Sequence, residues 1–151
     1  MRIVHSSKNI FAIPTKRNEA VCITTNGVVK RDGKAVMGAG IAKQANDLYL
    51  LDEELGTHLQ SAGNVPYIFA KKGRGNCHLI SFPTKLNWRD PSRLDLIKRS
   101  AELLVELVTR RSIATCYLVP PGCGLGKLDW ETQVKPVLEP ILDDRFVIVF
   151  R

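Results

Sequence analysis

The 151-residue sequence contains no apolar run near the roughly 20 residues that span a bilayer, and Met1-Arg2-Ile3-Val4-His5 lacks the apolar stretch of a secretory signal. A cytoplasmic protein without membrane contact is expected. Histidine is scarce, and neither His5 nor His58 has partners at metal-ligand spacing, so no metal site is expected. The four cysteines, Cys22, Cys77, Cys116 and Cys123, form no C-x-x-C pair and no disulfide-dense pattern, which predicts reduced thiols. No repeat, low-complexity tract or linker divides the chain, so residues 1–151 are expected to form a single domain and a monomer.

Positive charge is abundant: the formal net charge is +7 and the pI about 9.4. Such a balance favours an acidic partner, but the lysines and arginines are scattered through the sequence, which reads as a solvated basic surface before it reads as a nucleic-acid groove. Strand-like segments are Arg2 to His5, Ala20 to Thr25, Tyr67 to Lys71, His78 to Pro83, Thr115 to Pro120 and Phe146 to Phe150. Lys72-Gly73-Arg74-Gly75-Asn76 joins two of these as an antiparallel hairpin. A helix is predicted from Ser92 to Arg110, with Leu94, Ile97, Ala101, Leu104 and Val108 on one face. Another begins near Asp129, repeats Trp130, Val134, Val137 and Ile141, and meets an interruption at Pro136. A third runs from Gly40 toward Leu50 and continues from Asp52 to Ala62. This alternation predicts an α/β fold with a roughly six-stranded sheet covered on both faces.

Two glycine loops follow strand-like runs. Pro120-Pro121-Gly122-Cys123-Gly124-Leu125-Gly126-Lys127-Leu128-Asp129-Trp130 can bring several backbone N–H groups to an anion, and a helix start near Asp129 adds its positive end. Val36-Met37-Gly38-Ala39-Gly40-Ile41-Ala42 is the second, and the pair suggests a nucleotide diphosphate. Neither fits the common fingerprints. A G-x-G-x-x-G pattern needs glycine where Lys43 stands, and a P-loop needs glycine at Pro121 and a hydroxyl residue at Leu128.

Taken in order, Thr24-Thr25-Asn26-Gly27, Val36 to Ala42, Phe82-Pro83-Thr84-Lys85 and Pro120 to Trp130 resemble the macrodomains, α/β/α modules that bind ADP-ribose. The likeness is to the branch of the terminal ADP-ribose glycohydrolase and the DarG-type DNA ADP-ribosyl glycohydrolases. It implies a three-layer α/β/α macrodomain with a mixed sheet, ADP-ribose as ligand and no cofactor. It further implies that Asn26 contacts the distal ribose, that Gly38, Ala39, Gly40, Ile41 and Ala42 border that ribose and the diphosphate, and that Pro121, Gly122, Cys123, Gly124, Leu125 and Gly126 cradle the phosphates. Asn9 and Ile10 fall where relatives contact adenine, although an acidic residue is usual at the position of Asn9. The segment Val28 to Ala35, with Lys30, Arg31 and Lys34, is longer than in the shortest relatives and is expected to cover the ligand or meet an acidic partner.

Lys85 stands at the position of the branch's catalytic lysine, whose deprotonated amine attacks the anomeric carbon of the distal ribose. Gly126 replaces an aspartate of the protein-directed glycohydrolase and matches the DNA-directed pattern, which ranks ADP-ribosylated DNA ahead of ADP-ribosylated protein. Asp129 reads first as a helix cap. Trp88 and Arg89 are candidate substrate contacts, Trp88 stacking on a base or else anchoring its loop, and Arg89 meeting phosphate. A Cys123 nucleophile with His78 as base is a weaker chemical alternative. A non-catalytic ADP-ribose reader and a basic nucleic-acid-binding protein are the functional rivals.

Overall fold

The computed structural model describes residues 1–13 and 15–151. Six strands, β1 (Arg2–His5), β2 (Glu19–Asn26), β3 (Tyr67–Ile68), β4 (His78–Lys85), β5 (Thr115–Leu118) and β6 (Phe146–Phe150), form one sheet in the order β1-β6-β5-β2-β4-β3. Every pairing is parallel except β3 with β4, the expected hairpin. The strand predicted to reach Lys71 ends at Ile68, because the N–H of Ala70 turns to the Glu54 carboxylate at 2.7 Å.

Central strand β2 is apolar on both sides, as a parallel strand covered on two faces must be. Its Ala20 and Cys22 enter one core with Ile80, Phe82, Ile97, Leu104 and Leu138, while Val21 and Ile23 enter another with Ala45, Leu55 and Leu79. Helices α1 (Gly40–Tyr49) and α2 (Asp52–Ala62) cover the second face. Helices α3 (Leu94–Arg110) and α4 (Lys135–Leu138) cover the first, giving three layers.

Two helix boundaries differ from the sequence reading for identifiable reasons. Ser92 and Arg93 do not open α3: Arg93 is extended, with φ −116° and ψ 127°, and the N–H groups of the two residues tie this stretch to Gly126 O at 3.0 Å and Thr84 O at 2.9 Å. Near Pro136 the chain makes a wide π turn over Trp130–Val134, where Val134 N reaches back to Asp129 O at 3.1 Å. Proline has no N–H to continue the ordinary ladder, and the extra residue moves the apolar face by one position. The buried positions are therefore Val134, Leu138 and Leu142, not Val137 and Ile141. Trp130 is half-buried, edge-on to Phe150 with ring centroids 5.3 Å apart.

Candidate active site

The C-terminal ends of β2, β4, β5 and β6 lie at one edge of the sheet, and their last residues and following loops line a cleft of about 970 Å³. Neighbours β2 and β5 send their connections to opposite faces, β2 toward α1 and α2, β5 toward α4. A crevice opens where connections diverge in this way, and ligands of α/β sheets bind there.

A register break sets the floor of the cleft. Thr25 pairs with Pro83, but Asn26 pairs with Lys85, so Thr84 is an extra residue in β4 and two candidate site residues become cross-strand partners. The Asn26 side chain ties the strand end to the first glycine loop: its Nδ2 donates to Val36 O and its Oδ1 accepts from Val28 N, both at 3.0 Å. One N–H and one lone pair of that amide stay available to a ligand.

The first loop, Gly38 to Ala42, lines the cleft and opens α1. Gly40 has φ +57°, a conformation that favours glycine. Gly38 is different, since a Cβ there meets nothing within 4 Å. No side chain caps α1, so its first N–H groups are left for an anion.

In the second loop the glycines also divide by role. A Cβ on Gly126 would stand 2.1 Å from Ser92 Oγ and 2.5 Å from Gly122 O, so its lack of a side chain is a packing requirement. A Cβ on Gly124 meets nothing within 4 Å, which leaves space over the loop. Cys123 and Leu125 line the cleft with these glycines, and Leu125 Cδ1 lies 3.4 Å from where a Gly40 Cβ would be, bringing the two loops together. Pro121 is buried and Pro120 lines the cleft instead.

Lys85 Nζ donates to Leu125 O at 3.4 Å and Trp88 O at 3.5 Å. Among the described residues no carboxylate forms an ion pair with it. Its amine therefore stands beside the second glycine loop. Trp88 is 51% exposed and also lines the cleft, so it is not the buried anchor of its loop. The Arg89 guanidinium lies 5.3 Å from the Trp88 ring centroid, a cation–π arrangement that leaves it solvated.

Other predicted residues are placed elsewhere. Asn9 and Ile10 line a separate recess of about 160 Å³, which shares Ile41, Val119, Val149 and Arg151 with the main cleft. The Asn9 amide is engaged, accepting from Phe11 N at 2.9 Å and donating to Gln44 Oε1 at 2.7 Å. None of Val28 to Ala35 lines the cleft, which begins with the next residue, Val36. That segment folds on itself through a Val29–Ala35 bridge and packs against α2, where a Cβ on Gly56 would lie 1.9 Å from Gly33 O.

Cys123 is unsuited to attack. Burial, reinforced by the Asp129 carboxylate, pushes its thiol up to about 11. His78 begins β4 at the far edge of the sheet, against Lys72 Nζ at 2.9 Å, so no dyad forms. Asp129 caps the π turn, accepting from Thr132 N at 2.8 Å and from its hydroxyl at 2.6 Å, and it does not line the cleft. These bonds hold its carboxyl below the usual range.

The sequence reading gave no site role to Thr24 and Thr84, which it quoted only within motifs, and passed over Ser92 and Val149 to Arg151; all of these line the cleft. The placement of β6 comes from the fold: its parallel pairing with β5 puts Phe150 at the ligand edge. Ser92 is buried, and its Oγ has no hydrogen-bond partner among the described residues.

No protein-family model matches the chain. The DNA ADP-ribosyl glycohydrolase of Mycobacterium tuberculosis is 34% identical over 121 residues, which is 75% of this chain and 32% of that protein. The chain thus spans about a third of the length of this curated relative. The macrodomain of Mycobacterium tuberculosis DarG superposes with a TM-score of 0.76 at 28% identity, covering 98% of this chain and 96% of that one. The chain has the macrodomain fold. In sequence and structure it is similar to the DarG macrodomains. The Thermosipho africanus DarTG protein, solved in complex with ADP-ribose, shares the fold at a TM-score of 0.76 and 20% identity, over 99% of this macrodomain and 42% of that chain.

Proposed function

We propose that the cleft binds ADP-ribose and hydrolyses the bond between its distal ribose and a DNA base, with Lys85 as nucleophile. The observation that carries this reading is that the β4 register break makes Lys85 the cross-strand partner of Asn26, while the Lys85 amine lies against Leu125 O of the second glycine loop at 3.4 Å. A diphosphate held by the two loops would place the attached ribose next to the amine. The DNA ADP-ribosyl glycohydrolase activity of one relative and the ADP-ribose complex of another support the same chemistry.

In this mechanism the deprotonated amine donates its lone pair to the anomeric carbon, forming a C–N bond as the glycosidic bond breaks. The electron pair leaves with the base, which takes up a proton. Water then attacks the anomeric carbon of the lysine adduct, releasing free ADP-ribose and restoring the amine. The open spaces over Gly38 and Gly124 admit the diphosphate, and the free N–H groups at the start of α1 stabilise its charge. Trp88 supplies an exposed ring for the base or its neighbour, with Arg89 toward a phosphate.

The test compares wild type and Lys85→Ala on an ADP-ribosylated oligonucleotide and an ADP-ribosylated protein, with calorimetric titration of ADP-ribose alongside. Loss of turnover with binding retained is expected, and DNA should be the faster substrate. Equal turnover by the two proteins rejects the lysine mechanism. No turnover by either, with binding intact, leaves an ADP-ribose reader.

A further inference from the structure

The opposite edge of the sheet carries a feature that the cleft does not explain. Three neighbouring strands, β5, β2 and β4, are each entered through a basic dipeptide: Arg110-Arg111, Lys16-Arg17 and Lys71-Lys72. All six side chains belong to exposed residues, and among the described residues none is in an ion pair. The dipeptides are far apart in sequence, yet the fold joins their loops. Thr15 Oγ1 bonds Arg74 O at 2.6 Å, and Ala114 N bonds Asn18 O at 2.8 Å. With strands about 4.8 Å apart, the three pairs form a row roughly 10 Å wide. Its field is felt locally: besides burial, the charges of Lys72 and Arg111 hold His78 below its usual range. The acidic residues at this edge are engaged: the Glu19 carboxylate accepts from Lys16 N at 2.9 Å, and before β6 Asp143 pairs with Arg145 at 2.7 Å and Asp144 with the N-terminal amine at 3.6 Å.

We infer that this edge is a second binding surface, for the phosphate backbone of DNA, separate from the ADP-ribose cleft. The choice of partner rests on what surrounds the charge. The exposed large apolar residues, Ile3, Val4, Leu48, Leu50, Leu86, Trp88 and Leu125, all lie in other segments. A protein partner needs a desolvated apolar centre, and an interfacial membrane contact needs apolar side chains to insert. A phosphodiester backbone needs only cations. Sequence-independent contact here would tether a DNA stretch remote from the modified base and raise the local concentration of that base at the cleft. This inference does not depend on catalysis by Lys85.

The test is fluorescence anisotropy with an unmodified duplex over a salt series, for wild type and the pair variants Arg110→Gln/Arg111→Gln, Lys16→Gln/Arg17→Gln and Lys71→Gln/Lys72→Gln. If all six cations neutralise phosphates, affinity falls about 10³-fold between 50 and 200 mM salt, and each pair variant lowers the log–log slope by about 1.8. Saturating ADP-ribose should leave duplex binding unchanged, and the variants should keep wild-type affinity for ADP-ribose, which also reports that they are folded. Variants that bind the duplex as wild type does, competition by ADP-ribose, or equal retention on phosphatidylserine vesicles would overturn the inference.

Discussion

Two glycines two residues apart in the same loop should fail in opposite ways when given a side chain. A Cβ on Gly126 would meet Ser92 Oγ at 2.1 Å, Gly122 O at 2.5 Å and Gly122 Cα at 2.8 Å. Two of these contacts are backbone, so rotamer changes cannot relieve them. Overpacking of this kind costs about 1–3 kcal/mol, and at about 2–4 °C per kcal/mol Gly126→Ala should lower Tm by roughly 2–12 °C. Adding Ser92→Ala should return part of that loss, since it removes the nearest contact and an Oγ that has no partner to lose. Gly124→Leu should instead keep Tm within about 2 °C, because a Cβ there meets nothing within 4 Å. The leucine fills the space assigned to the diphosphate, so affinity for ADP-ribose should fall at least about tenfold, or about 1.4 kcal/mol. Differential scanning calorimetry and isothermal titration on the same preparations read both quantities. If Gly126→Ala melts with wild type, or if Gly124→Leu binds ADP-ribose normally, the division of the loop into packing glycines and an open cradle is wrong.

Trp88→Ala should raise KM for an ADP-ribosylated oligonucleotide roughly 5- to 150-fold, the equivalent of about 1–3 kcal/mol of stacking, with the Kd for free ADP-ribose unchanged; an unaltered KM would remove the ring from the substrate path. Cys123, pushed up to about 11, should react slowly with iodoacetamide at pH 8 and faster toward pH 11, and Cys123→Ala should retain full turnover. More than a tenfold loss in that variant would revive the thiol mechanism. Tyr67 is raised to about 12 by burial and by its hydrogen bond to the Glu54 carboxylate, so the native state holds a proton that the unfolded chain releases near pH 10. Its stabilising contribution is complete below about pH 10 and is lost as pH rises toward about 12. Tyr67→Phe should lack that alkaline loss in denaturant titrations, and a 295 nm titration of wild type should show a late-ionising tyrosine that is missing from Tyr67→Phe.

The six strands and the long helix α3 were legible because β-branched runs and a three-four apolar spacing are local signals. Where a backbone group was claimed by a distant segment, local signals failed. Ala70 gives its N–H to Glu54, and Ser92 and Arg93 give theirs to Gly126 and Thr84, so β3 is shorter and α3 starts later than the pattern suggests. At the site, Asn26, Lys85 and both glycine loops could be named from their motifs, and the fold brings them to one edge. The meaning of Gly126 was not legible. In the sequence it reads as an absent carboxylate, while in the fold it is a position where Ser92 and Gly122 leave no room for any side chain. The basic dipeptides were missed for a related reason: they are scattered in sequence, and only the strand order β5-β2-β4 sets them side by side.

The register break in β4 connects these observations to chemistry. Pro83 has no N–H for the ladder, and the carbonyls around it are drawn toward α3: Pro83 O accepts from Ser100 Oγ at 2.7 Å and Thr84 O from Arg93 N at 2.9 Å. β4 therefore leaves regular pairing where its partner β2 ends. With uninterrupted register, Thr84 would face Asn26 and Lys85 would lie one residue beyond the last residue of β2. The extra residue brings Lys85 level with Asn26, and Asn64 Nδ2 holds its carbonyl at 3.0 Å. A flexible lysine on a free loop would lose much of its side-chain entropy to reach one reactive geometry. Here the backbone is fixed by two strands, Asn64 and the contacts to α3, while Leu125 O and Trp88 O hold the amine itself. The Phe-Pro-Thr-Lys segment thus works through its proline as well as its lysine: the residue that breaks the ladder is the one that brings the proposed nucleophile, Lys85, level with Asn26.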